Sequence, residues 1–71
     1  MQKGDFIKWV EPSKLPGLLI DPLDKLKEKH GEGPFQITDI IIQTADKVDV
    51  EFINKNGEKV ILFWRWFEEV L

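Results

Sequence analysis

The segment that most constrains this chain is Asn54-Lys55-Asn56-Gly57, which lies between two runs of apolar residues. Asparagine with glycine at this spacing is typical of a tight β-hairpin turn, because glycine adopts positive φ without steric cost. Before the turn, residues 48–53 alternate, with Val48, Val50 and Phe52 on one face and acidic residues on the other. The sequence therefore predicts two antiparallel strands joined by a hairpin, the second of which is apolar on both faces.

Two geometries of this turn predict different registers. A two-residue turn at Asn56-Gly57 gives the pairs Phe52 with Ile61 and Val50 with Phe63. A type I turn that begins at Asn54, with Gly57 in the left-handed position, gives the pairs Phe52 with Val60, Val50 with Leu62 and Val48 with Trp64. We favour the second geometry, because asparagine is preferred at the first position of a type I turn and glycine at the fourth. In that register Trp64 is more buried than Phe63.

Three further segments have the pattern of strands. Residues 5–10 are aromatic and β-branched and lie between Gly4 and Pro12. Residues 35–42 alternate only if a bulge near Thr38-Asp39 returns Ile40 and Ile42 to the core face. The chain from Trp64 onward predicts a short 3₁₀ turn and a last strand. The expected fold is therefore mainly β, with five strands.

One short helix is predicted near Asp21–Lys29, inside the first long loop. Aspartate is a preferred N-cap, so we expect Asp21 to cap the helix, with Pro22 at the first helical position. Leu23 and Leu26 give a narrow apolar stripe, and Gly31 is typical of a helix C-terminus. A helix of this length is not stable alone and must pack against the strands.

This order of elements resembles the SH3-like small β-barrels over nearly the whole chain. The resemblance rests on Gly4-Asp5-Phe6-Ile7-Lys8-Trp9-Val10, Gly33-Pro34-Phe35-Gln36-Ile37, the Asn56-Gly57 hairpin and Trp66-Phe67-Glu68-Glu69-Val70. It implies a single five-stranded barrel domain spanning residues 1–71. Peptide-binding SH3 domains carry a tyrosine-rich groove and this chain has no tyrosine, so no family binding residue is carried over. The fold hosts many functions and transfers none by itself.

Charge and composition narrow the functional classes. The net charge is −3, from 13 acidic and 10 basic residues, which disfavours nucleic-acid binding through phosphate contacts. The chain has no cysteine, no stretch typical of a signal peptide and no apolar run of membrane-spanning length, so we expect a cytoplasmic protein without a membrane partner. A nucleic-acid-binding small barrel that uses the scattered lysines is the alternative function.

Catalysis and metal binding find little support in the sequence. His30 is the only histidine and lies at the predicted helix end, where a basic residue suits the helix dipole. Without cysteine, and with Ser13 far from His30 in sequence, no nucleophile and base can be paired. The acidic residues lack the spacing of a calcium loop, and Gly31-Glu32-Gly33-Pro34 precedes a strand instead of a helix, so it is not a phosphate loop. We expect no enzyme activity and no cofactor.

The aromatic cluster near the C-terminus is the sequence feature that most suggests a function. Its members, with Trp9, are Phe63, Trp64, Trp66 and Phe67. The simpler interpretation is that they form the core of a small domain. The functional interpretation is a partly exposed interaction surface formed by Asp49, Glu51, Ile61, Phe63, Arg65 and Trp66, since tryptophan and arginine are enriched at binding hot spots.

That surface predicts a non-catalytic module for protein interaction, or an accessory subunit of a larger complex. Its acidic border suits a peptide partner with basic or apolar residues, and the chain is expected to be a monomer or a weak homodimer. The exposed Ile61 and Phe63 need cover from the loop around Leu15–Ile20, from a second subunit or from a ligand. We expect this loop, and not a second subunit or a ligand, to cover Ile61 and Phe63, because its own leucines also need burial.

Overall fold

The computed structural model describes residues 1–70 and contains one α-helix and five strands. Their bounds are β1 Phe6–Trp9, α1 Ile20–His30, β2 Phe35–Ile42, β3 Val48–Ile53, β4 Lys59–Phe63 and β5 Phe67–Glu69. Three 3₁₀ turns lie at Pro12–Lys14, Gly17–Leu19 and Trp64–Trp66. The strands form one antiparallel sheet in the order β4-β3-β2-β1-β5. The predicted mainly β fold with one short helix is confirmed. Within residues 1–70 no ladder joins β4 to β5, so the sheet is open there and the predicted barrel is not closed by hydrogen bonds.

Four aromatic rings from four different strands form the centre of the core. Trp9 stacks on Phe67 with the ring centroids 4.6 Å apart, and Phe35 stacks on Phe52 at 4.4 Å. Phe52 also meets Phe67 edge to face at 5.3 Å, which joins the two stacks. Leu23 of α1 is fully buried against this cluster, so the predicted apolar stripe anchors the helix. These rings supply the large apolar area that so short a chain requires.

The hairpin turn has the geometry that its asparagine and glycine favour. The Asn54 Oδ1 atom accepts hydrogen bonds from the backbone N–H groups of Asn56 and Glu58, both at 2.9 Å. Gly57 has a φ of 77° and donates its N–H to the Asn54 carbonyl. The pairs Phe52–Val60 and Val50–Leu62 confirm the favoured register. The predicted pair Val48–Trp64 is wrong, because β4 ends at Phe63 and Trp64 begins a 3₁₀ turn.

The predicted bulge in β2 is confirmed by a register shift between Ile37 and Asp39. Ile40 consequently packs against the core. Ile42, which we also expected on the core face, is 72% exposed. It faces Val48 at the last pair of the β2–β3 ladder, where the core ends.

The helix differs from the prediction at its start. Its N-cap is Leu19, which makes no side-chain capping bond, so the prediction that Asp21 caps the helix is wrong. The Gly17–Leu19 turn runs directly into α1, and the backbone is therefore already helical before Asp21. Asp21 lies in the first turn, where its negative charge still suits the helix dipole. Gly31 ends the helix with a φ of 97°, as the sequence predicts.

Candidate functional site

The six residues predicted as a binding surface fall into two adjacent groups. Asp49 and Phe63 are paired across β3 and β4, as are Glu51 and Ile61, which places these four on the outer face of the hairpin. Arg65 and Trp66 lie in the 3₁₀ turn after β4. Phe63 is the last residue of β4 and therefore connects the two groups.

Asp49 differs from the exposed acidic residue that the alternating pattern suggested. It lies on the outer face, but only 8% of it is exposed, because Ile41 and Phe63 flank it on the neighbouring strands. Gln43 Nε2 donates a hydrogen bond of 3.0 Å to Asp49 Oδ2. Within residues 1–70, Asp49 Oδ1 is enclosed and has no hydrogen-bond partner. A partner chain cannot reach this carboxylate without side-chain movement.

Glu51 is also engaged within the chain. Thr38 Oγ1 donates a hydrogen bond of 2.7 Å to Glu51 Oε2, and Lys59 Nζ lies 3.7 Å from Glu51 Oε1. The Glu51 side chain is 17% exposed. Of the two carboxylates that we expected to border the surface, Asp49 is enclosed and Glu51 is engaged by Thr38 and Lys59, which weakens the reason for expecting a basic partner.

A groove opens between the 3₁₀ turn and the loop that follows β1, and we call it the aromatic groove. Its volume is about 580 Å³. One wall is the continuous segment 63–67, and the opposite wall is formed by Lys14, Leu15, Pro16 and Leu19. Phe63, Trp64 and Trp66 are only half-buried here. The sequence predicted the aromatic wall and a loop around Leu15–Ile20 beside Phe63, but no periodic pattern in that loop indicated that an open groove remains between them.

The loop covers the outer face only in part. Leu15 packs against the core and shares the groove with Phe63. Leu18 remains 89% exposed, and Ile61 is 46% exposed. The expectation that this loop covers both Ile61 and Phe63 is therefore met only near Phe63. Trp64 packs against the core cluster, and both Trp64 and Phe63 are half-buried, so the greater burial of Trp64 stays a prediction.

The charged groups of the aromatic groove have different surroundings. Lys14 Nζ lies 2.9 Å from Glu68 Oε2, and this hydrogen bond raises the pKa of Lys14 and lowers that of Glu68. The Arg65 guanidinium lies 4.8 Å above the centre of the Trp64 ring, in a cation–π contact. Within residues 1–70, Arg65 makes no ion pair shorter than 4.0 Å.

A second cavity lies at the open end of the sheet. It measures about 630 Å³, and its walls include Ile40, Val48, Trp64 and Phe67. Glu68 and Glu69 stand at its edge, and the amino group of Met1 lies 2.8 Å from Glu69 Oε1. Because the acidic side chains there already contact Lys14, Lys8 or the amino terminus, this cavity offers a partner less unpaired charge than the aromatic groove does.

His30 is a buried structural residue in this fold. It is 7% exposed, and its Nδ1 atom lies 3.0 Å from the amide nitrogen of Asn54. Burial, followed by the nearby charge of Lys29, lowers the pKa of His30. Within residues 1–70 no group of three or more histidine, cysteine or acidic side chains is placed to hold a metal ion. No pattern in the sequence indicates the contact between His30 and Asn54, which links the helix end to the hairpin turn.

Comparison of the chain with models of protein families, with curated proteins and with solved structures found no match. In the described part of the chain, no helix is both long and apolar enough to cross a membrane.

Proposed function

We propose that the protein is a non-catalytic interaction module that binds a segment of another protein in the aromatic groove and along β4. The observation that carries the proposal is the half-burial of Phe63, Trp64 and Trp66 in one groove. A chain this short needs its large side chains in the core. Three aromatic side chains that stay partly in water contribute less to its stability than buried ones would, and such exposed apolar surface is typical of interaction sites. Buried tryptophan and arginine contacts often dominate protein interfaces, and this groove presents both.

The free edge of β4 supports an extended partner. Within residues 1–70, β4 pairs with β3 on one side only. The Asn54–Glu58 bond starts the ladder, so Val60 and Leu62 direct their backbone groups toward β3. The backbone groups of Lys59, Ile61 and Phe63 then point away from the sheet. An extended segment that adds to this edge would reach the aromatic groove at Phe63.

The resemblance to SH3-like small barrels is part of the proposal. The strand order, with a long first loop and a 3₁₀ turn before the last strand, is compatible with that architecture. Peptide recognition between a loop and a 3₁₀ turn fits it as well, although the residues here are not those of the tyrosine-rich SH3 groove. The cytoplasmic location and the lack of catalytic activity stay predictions.

The proposal is tested by selecting a displayed library of short random peptides on the purified protein. We expect enriched peptides that shift the NMR signals of the indole N–H groups of Trp64 and Trp66. Trp66→Ala should weaken their binding about tenfold or more, which is the effect of a hot-spot side chain. Phe6→Ala is the matched control, because Phe6 is a 50% exposed aromatic residue outside both cavities. A selection that yields no peptide, or peptides equally sensitive to both variants, would contradict the proposal.

A further inference from the structure

The aromatic groove carries a charge opposite to that of the whole chain. The net charge is −3, yet among the described residues that line the groove two are basic and none is acidic. Both basic residues, Lys14 and Arg65, stand beside apolar walls. A groove of this composition attracts an anionic group and an apolar group at once.

Arg65 is the basic group that is available to a partner. Lys14 already contacts Glu68 at 2.9 Å. Arg65 is exposed and is held over the Trp64 ring, which leaves the donor N–H groups of its guanidinium directed to solvent or to a ligand. Arginine pairs with carboxylates through two parallel hydrogen bonds, so a carboxylate is the group that best matches it.

The remaining surface of the groove selects a bulky apolar group. Leu15, Pro16 and Trp66 offer no charged atom to a ligand, and the volume of about 580 Å³ lies within the range of roughly 300–1,000 Å³ that is usual for ligand pockets. One or two large side chains of a peptide would fill such a space and displace water from the tryptophan rings. The carboxylate must then lie close in sequence to these side chains, because Arg65 belongs to the same wall.

We infer that the aromatic groove binds a peptide segment in which an aspartate or glutamate lies next to one or two bulky apolar residues. This inference rests on the proposed function and replaces the basic partner that the sequence suggested. That expectation depended on Asp49, which is enclosed with only Oδ2 bonded to Gln43, and on Glu51, which contacts Thr38 and Lys59.

A nucleic acid is the competing occupant, since tryptophan and arginine together also stack on and contact single strands. The structure favours the peptide for two reasons. A phosphate chain needs several free cations in a row, and within residues 1–70 the groove offers Arg65 alone outside an ion pair. The net negative charge of the chain also repels a polyanion more strongly than a single carboxylate.

The experiment determines which charged residues occur in the peptides enriched from the random library. It then compares the affinity of such a peptide for two variants of the protein in which a basic residue is replaced by an acidic one. We expect acidic residues beside leucine, phenylalanine or tryptophan. A synthetic copy of the most enriched peptide should bind Arg65→Glu about tenfold or more weakly than the native protein, and added salt should weaken the native complex. Lys25→Glu is the matched control, because it makes the same charge change at an exposed position outside the groove and should leave affinity within about twofold.

Other outcomes separate the inference from the proposed function. Enriched peptides that are basic or uncharged, but still depend on Trp66, would overturn the inference and leave the interaction module standing. Equal loss of affinity in Arg65→Glu and Lys25→Glu would show that only the overall charge matters, and would also overturn it. Tighter binding of an oligodeoxythymidine than of any selected peptide, lost in Arg65→Glu, would overturn both in favour of nucleic-acid binding.

Discussion

Two sets of aromatic side chains in this molecule have similar chemistry and different surroundings. The core set, Trp9, Phe35, Phe52 and Phe67, is at least 94% buried and joined by direct ring contacts. The groove set, Phe63, Trp64 and Trp66, is half-buried and faces a loop across an open space. Every member of the core set lies on a strand, whereas two of the groove set lie in a 3₁₀ turn.

The difference shows that position relative to the sheet, and not residue type, decides which aromatic residues hold the fold. Strand alternation directs a side chain into the core, and pairing with at least one neighbouring strand holds its backbone in place. A 3₁₀ turn directs its side chains around its axis, so Trp64 and Trp66 cannot both point fully inward. Stability should therefore depend mainly on the core set, and binding mainly on the groove set.

The largest expected effect is on the core set. Phe52 is fully buried between Phe35 and Phe67, so Phe52→Ala should cost about 3–5 kcal/mol of unfolding free energy. At about 0.05–0.15 kcal/mol per residue, that loss approaches the total stability of so short a chain. Urea unfolding followed by tryptophan fluorescence measures it. Phe52→Leu keeps most of the apolar volume and should cost clearly less. A Phe52→Ala cost below about 1 kcal/mol would break the comparison.

A medium effect on stability is expected within the groove set, together with a division of roles. Trp64 packs against the core, so Trp64→Ala should lower the free energy of unfolding by about 2–3 kcal/mol, less than the loss of a fully buried aromatic side chain.

Phe63→Ser should lower the free energy of unfolding by less than about 1.5 kcal/mol, as expected for a surface site, and should still abolish binding of the selected peptides. Urea unfolding and peptide titration on the same samples separate the two roles. If Phe63→Ser unfolds the protein, Phe63 belongs to the core and the groove loses its main support.

The sequence predicted the parts of this comparison that depend on local patterns. Alternation over β3 placed Val50 and Phe52 in the core, and the chemistry of Asn54 and Gly57 selected the register correctly. The same reasoning failed where tertiary contacts decide. The burial of Asp49 depends on Ile41 and Phe63 from neighbouring strands, and no local rule indicates it.

The sequence indicated both walls of the aromatic groove, since it placed the loop around Leu15–Ile20 near Phe63, but it did not predict the open space between them. Trp64-Arg65-Trp66 is visible in the sequence as a cluster with binding potential. The opposite wall comes from a loop of two 3₁₀ turns, whose path depends on how Leu15 packs against the core and how Lys14 meets Glu68. The contact between Lys14 and Glu68 joins residues 54 positions apart, and no local pattern in the sequence indicates it.

The smallest expected effect is a change of stability with pH. It should arise from His30, which is buried beside the core set, whereas binding in the aromatic groove should not depend on pH. His30 meets the edge of Phe52, with the ring centroids 6.4 Å apart, and its Nδ1 faces the Asn54 amide nitrogen at 3.0 Å. Asn54 can donate to that atom only while Nδ1 carries no proton, so protonation would set two donors against each other. Burial is the main cause that lowers the pKa of His30; the charge of Lys29 lowers it further, and the charge of Glu58 raises it.

A pKa lower in the folded than in the unfolded chain means that folding favours neutral His30. The stability that depends on this group is complete above the unfolded value of 6.5 and decreases as the pH falls toward the lower folded pKa. The urea midpoint of the native protein should therefore fall as the pH drops below about 6.5.

His30→Asn is the matched control, since the Oδ1 atom of the new asparagine can accept the Asn54 hydrogen bond and does not titrate. Its midpoint should vary less over this range. Peptide affinity should change little, because Lys14 has a raised pKa and Glu68 a lowered one, so both stay charged. Equal pH dependence in the native protein and in His30→Asn would show that the helix–hairpin contact is not what acid weakens.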